Sequence, residues 1–294
     1  MRGWDFVANK LKKQKHKVAH FGKTRYMWIF GMLCVIGLST KAYIDTNIFK
    51  VNRIEFYSNK IPLDSKLTIL QLSDLHNKVF GVDNETLIDT VKQANADIIV
   101  LTGDLIDRGT NDFGHVFSLV ERITAINPNV FFVSGNHEWG NASTEAFIEG
   151  IEQRNVTILN NQSTELTVGN VTLNLVGVDD AATKHEDLNL AFANVDQASY
   201  TILLSHSPSI LDRYRAIPAD LILSGHTHGG QVRLPLIGAL VAPDEGFFPE
   251  MDKGIFEIGV NQFLYIDSGL GTSMAPIRFL NQSQVSLIEI SREK

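Results

Sequence analysis

A single cysteine among 294 residues excludes a disulfide scaffold, and eight scattered prolines with no repeat or low-complexity run exclude a collagenous or disordered chain. Cys34 lies in an apolar stretch, where it is most simply a small apolar side chain. Basic residues are scarce beyond position 25: from there on 18 Lys or Arg face 32 Asp or Glu, a net charge of -14 with no Lys/Arg-rich stretch. That charge disfavours a nucleic-acid partner, since phosphate backbones are bound by clustered cations. What the chain does have is apolar content, 44%, enough for a packed core.

The first 25 residues carry eight Lys or Arg against one acid, among them Lys10, Lys12, Lys13, Lys15, Lys17, Lys23 and Arg25. Residues 26–40 hold no charge, and past Lys41 the apolar character continues to Ile44. Nineteen residues of helix span roughly 28 Å, about a bilayer core if Lys41 snorkels. A basic cluster before an apolar span stays in the cytoplasm. The expected organisation is therefore a basic cytoplasmic segment (1–25), a transmembrane signal anchor (26–44) in the cell membrane, and a body on the non-cytoplasmic side. A cleaved signal peptide is disfavoured because no clear small-x-small site follows the apolar core; a buried core helix is the third alternative.

Residues 45–66 read as a linker and entry strand, with alternation at 53–57, ahead of one α/β domain over 67–294. Strands are expected at 67–72, 97–102, 130–134, 200–204 and 221–224, and helices at 84–94, 115–126, 143–154 and 208–215. A hairpin is expected at Gly169-Asn170 and a mostly β end from Gln231.

Chemistry-bearing residues follow five of these strands: Asp74-Leu-His76, Gly103-Asp104-Leu-Ile-Asp107-Arg108-Gly109, Gly135-Asn136-His137-Glu138, Ser205-His206 and Gly225-His226-Thr-His228. Strand ends on one edge of a parallel sheet converge on one crevice. Asp and His are O and N donors suited to Mn, Fe, Zn or Ni, and x-spaced pairs in extended chain point the same way. Of seven His in the body, five sit in these motifs, which favours a metal site over scattered core or surface histidines.

Taken in order, these motifs resemble the calcineurin-like metallophosphoesterase family, and the Gly-His-Thr-His-Gly-Gly-Gln run with the N-terminal anchor resembles its bacterial membrane-associated phosphodiesterase branch. The resemblance implies a four-layer α-β-β-α sandwich of two mixed sheets holding two divalent metal ions, Mn, Fe or Zn. It places one ion on Asp74, His76, Asp104 and His228, and the second on Asp104, Asn136, His206 and His226, with Asp104 bridging. His137 becomes the general acid for the leaving oxygen. Asp107 becomes its orienter or a support for a ligand, against the simpler role of a turn residue. Arg108 would hold phosphate, as in the protein Ser/Thr phosphatase branch, or form a surface ion pair. Asp267-Ser-Gly-Leu-Gly271 also resembles the membrane-associated branch, but Arg278 is followed by Phe-Leu-Asn-Gln-Ser-Gln where many relatives continue Pro-Glu. The aperiodic stretch 236–253, with Phe247 and Phe248, reads as core packing or as a loop over the crevice that meets a lipid or sugar.

The function expected is a membrane-anchored phosphoesterase, most simply a phosphodiesterase, with a phosphoester substrate derived from lipid or envelope. The alternatives are a pyrophosphate hydrolase acting on a lipid-linked nucleotide sugar, which an outward-facing body disfavours, and a non-catalytic, metal-containing envelope-binding protein.

Overall fold

A computed structural model of the chain describes residues 2–243, 245–273 and 275–292, with side chains of the first helix described at 9–12 and 25–47. The side chains of Lys13, Lys15, Lys17 and Lys23, part of the expected basic segment, lie outside the described residues. The chain forms two compact units, Met1–Tyr43 and Ile44–Lys294. The first consists of helix α1 (Arg2–Asn47), whose last four residues belong to the second unit. Within α1, Arg25–Asn47 is long and apolar enough to cross a membrane.

The body then runs β1 (Lys50–Tyr57), β2 (Lys66–Leu72), α2 (Glu85–Ala94), β3 (Ile98–Leu101), α3 (Gly114–Ile126), β4 (Val130–Phe132), α4 (Asn136–Trp139), α5 (Thr144–Glu152), β5 (Thr157–Ile158), β6 (Gln162–Val168) and β7 (Val171–Gly177). It continues with α6 (Leu188–Ala191), β8 (Tyr200–Leu204), α7 (Ile210–Arg213), β9 (Leu221–Ser224), β10 (Arg233–Leu234), β11 (Gly238–Ala239), β12 (Val241–Ala242), β13 (Gly246–Phe247), β14 (Gly254–Gly259), β15 (Gln262–Ile266) and β16 (Gln284–Ser291). Two mixed six-stranded sheets form, ordered β1-β16-β2-β3-β4-β5 and β14-β15-β9-β8-β7-β6. Residues 45–66, read from sequence as linker and entry strand, fall within the body: β1 is an edge strand, parallel to β16.

Runs such as Ile98-Ile-Val-Leu101 are apolar at every position because both faces are covered. Ile98 and Val100 face the second sheet and pack with Ile202 and Leu223, whereas Ile99 and Leu101 face α2, α3 and α5 and pack with Ile88, Leu119 and Phe147. Beyond the second sheet, Val176, Leu203 and Ile222 pack under Leu188 of α6 and Ile210 of α7. The layers are thus α, β, β, α. Strand β4 ends at Phe132, before the expected Ser134, because the Ser134 N–H turns to the side chain of Asn160 at 2.9 Å.

β2, β3 and β4 are parallel neighbours, as are β8 and β9. Their carboxyl ends lie along one edge, so the loops at 73–76, 102–107, 134–138, 205–206 and 225–228 meet there.

Candidate metal centre

Five of the seven sequence-predicted ligand positions hold their backbone in the left-handed region: Asp74 at φ 51°, His76 at 49°, Asp104 at 51°, His226 at 69° and His228 at 52°. Asp and His visit this region more readily than other residues, but each visit costs of order 1 kcal/mol or more, and such strain gathers at functional sites. The sharp turns aim each side chain back over the sheet edge. They also demand glycine: a Cβ on Gly103, itself at φ 83°, would stand 2.6 Å from His206 Nδ1 and 2.8 Å from the Gly135 nitrogen.

The seven positions come together. Asp74, His76 and His228 present one donor atom each within 4.8 Å of one another, and so do Asp104, His206 and His226. Asp104 Oδ2 stands between the groups, 3.3 Å from His206 Nε2 and 3.7 Å from His76 Nε2. Asn136 Oδ1 approaches His226 Nδ1 at 3.0 Å and His206 Nε2 at 3.3 Å. Asp74 Oδ1 is 3.6 Å from His228 Nε2 and accepts the His226 N–H at 3.0 Å. All seven side chains are buried.

This donor set fits divalent cations. Nε2 of His76 and Nε2 of His228 face each other at 3.1 Å, and the Asn136 oxygen looks only at acceptors, an arrangement that a cation between them satisfies. Turned over, the same amide donates to Asp104 Oδ2 at 3.2 Å and accepts from Arg108 Nη2 at 2.8 Å. Ligating Asp104 must be a carboxylate and the histidines must offer lone pairs. Burial alone would raise the Asp104 pKa, but His206, His76 and His137 together hold it well below the carboxylate range. Burial, with His76 and Arg278 beside it, holds His228 well below the ordinary histidine value, as neutral imidazole. Burial lowers His206 too, but Asp104 and Asp74 outweigh it and raise the pKa well above the ordinary value, so proton and cation compete for that ring.

Asp107 touches two rings: its Oδ1 lies 2.7 Å from His76 Nδ1 and 3.4 Å from His137 Nδ1. His137 and His76 meet edge to face at 4.6 Å between ring centroids. Arg108 is exposed and lines, with His137, His226, Thr183, Pro243 and Ser273, a cavity of about 430 Å³ that opens onto the site. The guanidinium thus faces the cavity, close to the Asn136 amide.

Two supports escaped the sequence reading. Glu138 is fully buried and accepts the N–H groups of Asp104 and Gly135 at 2.8 Å and of Leu105 at 2.7 Å; burial and the nearby Asp104 push its carboxyl up to about 7 against these donors. Its signal was its place beside Asn136-His137 in one motif. Arg278, also fully buried, donates to the carbonyls of Gly271 at 2.8 Å and Ser268 at 2.6 Å and reaches the His228 carbonyl at 3.4 Å. No spacing in the sequence marks an arginine as buried; only the convergence of three carbonyls shows it.

The profile of the calcineurin-like phosphoesterase family matches residues 67–230. The chain is 25% identical over 260 residues to the uncharacterized metallophosphoesterase YkuE of Bacillus subtilis, covering 86% of this chain and 90% of that one. It is 28% identical over 271 residues to an uncharacterized metallophosphoesterase of Aquifex aeolicus, covering 88% and 98%. Among solved structures, a 5'-nucleotidase precursor from Thermus thermophilus aligns with a TM-score of 0.48 and 15% identity over 70% of this chain, which spans half the length of that nucleotidase.

Proposed function

The chain belongs to the calcineurin-like phosphoesterase family and is a metal-dependent phosphoric ester hydrolase; from this premise we propose that it is a binuclear phosphodiesterase anchored in a membrane by α1. The observation that carries the proposal is the pair of Asp/His triads, with Asp104 Oδ2 of the second standing 3.7 Å from His76 Nε2 of the first. Asp74, His76, Asp104 and His228 would hold one divalent ion, and Asp104, Asn136, His206 and His226 the other, with Mn, Fe or Zn suited to these mixed donors. When bound, such ions supply Lewis-acid activation of water and of the phosphoryl group.

The remaining steps fall to this chain's own side chains. His137 lies at the cavity and gives its proton to the leaving oxygen; Asp107 holds that ring and the ring of His76 from one carboxylate oxygen. Burial alone would raise the Asp107 pKa, but His137 and His76 hold it well below the carboxylate range, so it stays anionic between the two rings. Arg108 offers a planar, permanently charged fork to a phosphoryl oxygen. Among the described residues lining the cavity it is the single fixed cation, with Thr183, Pro243 and Ser273 neutral. The basic residues before the apolar span support a body on the non-cytoplasmic side.

The test is hydrolysis of a bis-aryl phosphate and an aryl monophosphate by the full chain in detergent, after chelation and after Mn, Zn or Fe is added back, with metal content measured on the same sample. Diester cleavage restored at about two metals per chain supports the proposal. Bound metal without cleavage of either ester refutes it.

A further inference from the structure

A ribbon of hydrogen bonds leads from the end of α1 to the apolar hairpins beside the cavity. Thr46, in the last turn of α1 and within the body, accepts the Arg278 N–H at 2.8 Å. The next residue, Phe279, exchanges backbone bonds with Gln231 and Arg233, at 3.1 and 3.0 Å. Leu240 donates to Val232 at 3.2 Å, and Phe248 donates to Leu240 at 3.0 Å. Each step is one strand spacing, so the helix end, the hairpins β10–β11 and β12–β13, and the cavity residue Pro243 share one side of the body.

This ribbon is apolar where it meets solvent. Leu236, Ile237, Phe247, Phe248, Ile277 and Leu280 are all exposed, Phe247 to 80%. Soluble surfaces rarely gather such a set, and an exposed apolar patch, here on hairpins joined through the cavity residue Pro243, marks a docking surface. What covers it follows from the tether: two residues separate Asn47, the end of the apolar span Arg25–Asn47, from Lys50 at the start of β1. The apolar span is therefore close in sequence to the ribbon, because Thr46 is itself bonded to Arg278.

We propose that this rim dips into the head-group region of the bilayer that holds the chain's own helix, and that the adjoining cavity takes its phosphoester from a lipid head group there. The inference rests on the proposed phosphodiesterase activity and on α1 as an anchor. Aromatic and aliphatic side chains on short hairpins insert at the acyl boundary while the backbone stays hydrogen bonded within the ribbon. A phosphoryl group at head-group depth then lies level with Arg108 and His137, with no need to lift a lipid from the membrane.

The experiment uses the full chain with Cys34→Ser, reconstituted in phosphatidylcholine and phosphatidylglycerol vesicles. A nitrobenzoxadiazole probe is attached at Ile237→Cys, Phe248→Cys or Leu63→Cys. Leu63 is exposed and lies past the far end of β1, roughly 25 Å from Lys50, and serves as control. Doxyl-labelled phosphatidylcholine is expected to quench the probes at 237 and 248 at least about two-fold more than the one at 63. In parallel, Leu236→Ser with Phe247→Ser and Phe248→Ser is expected to leave bis-aryl phosphate turnover unchanged and to lower cleavage of a diacylglycerol nitrophenyl phosphate in vesicles about ten-fold. Equal quenching at 248 and 63, or equal loss on both esters, overturns the proposal. A blue-shifted probe at 248 that lipid nitroxides fail to quench, with cross-links between chains, assigns the rim to a second copy instead. If no ester is cleaved in any metal, the phosphodiesterase reading falls and the quenching still decides the docking.

Discussion

Glu138 Oε2 accepts the backbone N–H of Asp104 at 2.8 Å, while Asp104 Oδ1 accepts the N–H of His137, the residue before Glu138, also at 2.8 Å. Two loops more than thirty residues apart thus clasp each other through their acids. The clasp fixes the left-handed turn at Asp104 from both sides and sets His137 beside the proposed metal ligands.

Loss of the Glu138 charge should loosen that clasp. Glu138→Gln replaces a carboxylate that accepts at least three buried N–H groups with an amide that offers one oxygen. A destabilisation of about 1–3 kcal/mol is expected in urea unfolding, with weakened metal retention. Unchanged stability would mean that the turn is held elsewhere.

Asp104→Asn should weaken both metals and abolish hydrolysis, because its Oδ2 faces both triads. Metal at one hundred times its Kd is expected to stabilise the parent against unfolding by about 2.7 kcal/mol and the variant by much less. Calorimetry with and without chelator measures both.

His137→Ala should retain metal and lose about 10²- to 10⁴-fold in turnover, since a general acid contributes that much. Asp107→Asn should lower turnover and shift the pH profile, because its oxygen serves His76 and His137 together. Loss of metal in the His137 variant would place that ring among the ligands and refute its role as acid.

Asp267 supplies a pH dependence away from the rings. It is fully buried, and burial pushes its carboxyl up to about 6, although Ser286, the Gly269 N–H and Gln284 all donate to it. Its unfolded value is about 3.9, so the native state holds the extra proton between roughly pH 4 and 6. Stability is therefore greatest below this window and falls as pH rises through it, by up to about 3 kcal/mol. Asp267→Asn should flatten that slope in unfolding curves taken across the window.

The sequence by itself pointed to most of the strands and helices of the body and to seven candidate donor positions, because apolar period and motif spacing are local and survive in one dimension. Residues 97–102 read as a buried strand, and Asp74-x-His76 and His226-x-His228 read as paired donors on extended chain, whereas the structure holds all four of those residues in left-handed turns. The apolar span was legible for the same reason, read at 26–44 within the stretch Arg25–Asn47 whose length and composition make it able to cross a membrane. What the tertiary structure decided are the relations between loops distant in sequence: that Asp107 bonds His76 as well as facing His137, that Glu138 ties the Asp104 turn, and that Arg278 is buried among carbonyls. It also decided that Phe247 and Phe248, open from sequence between core and loop, stand exposed. Such contacts depend on sheet order and strand register, which bring residues from different elements to one edge and leave no periodic trace along the chain.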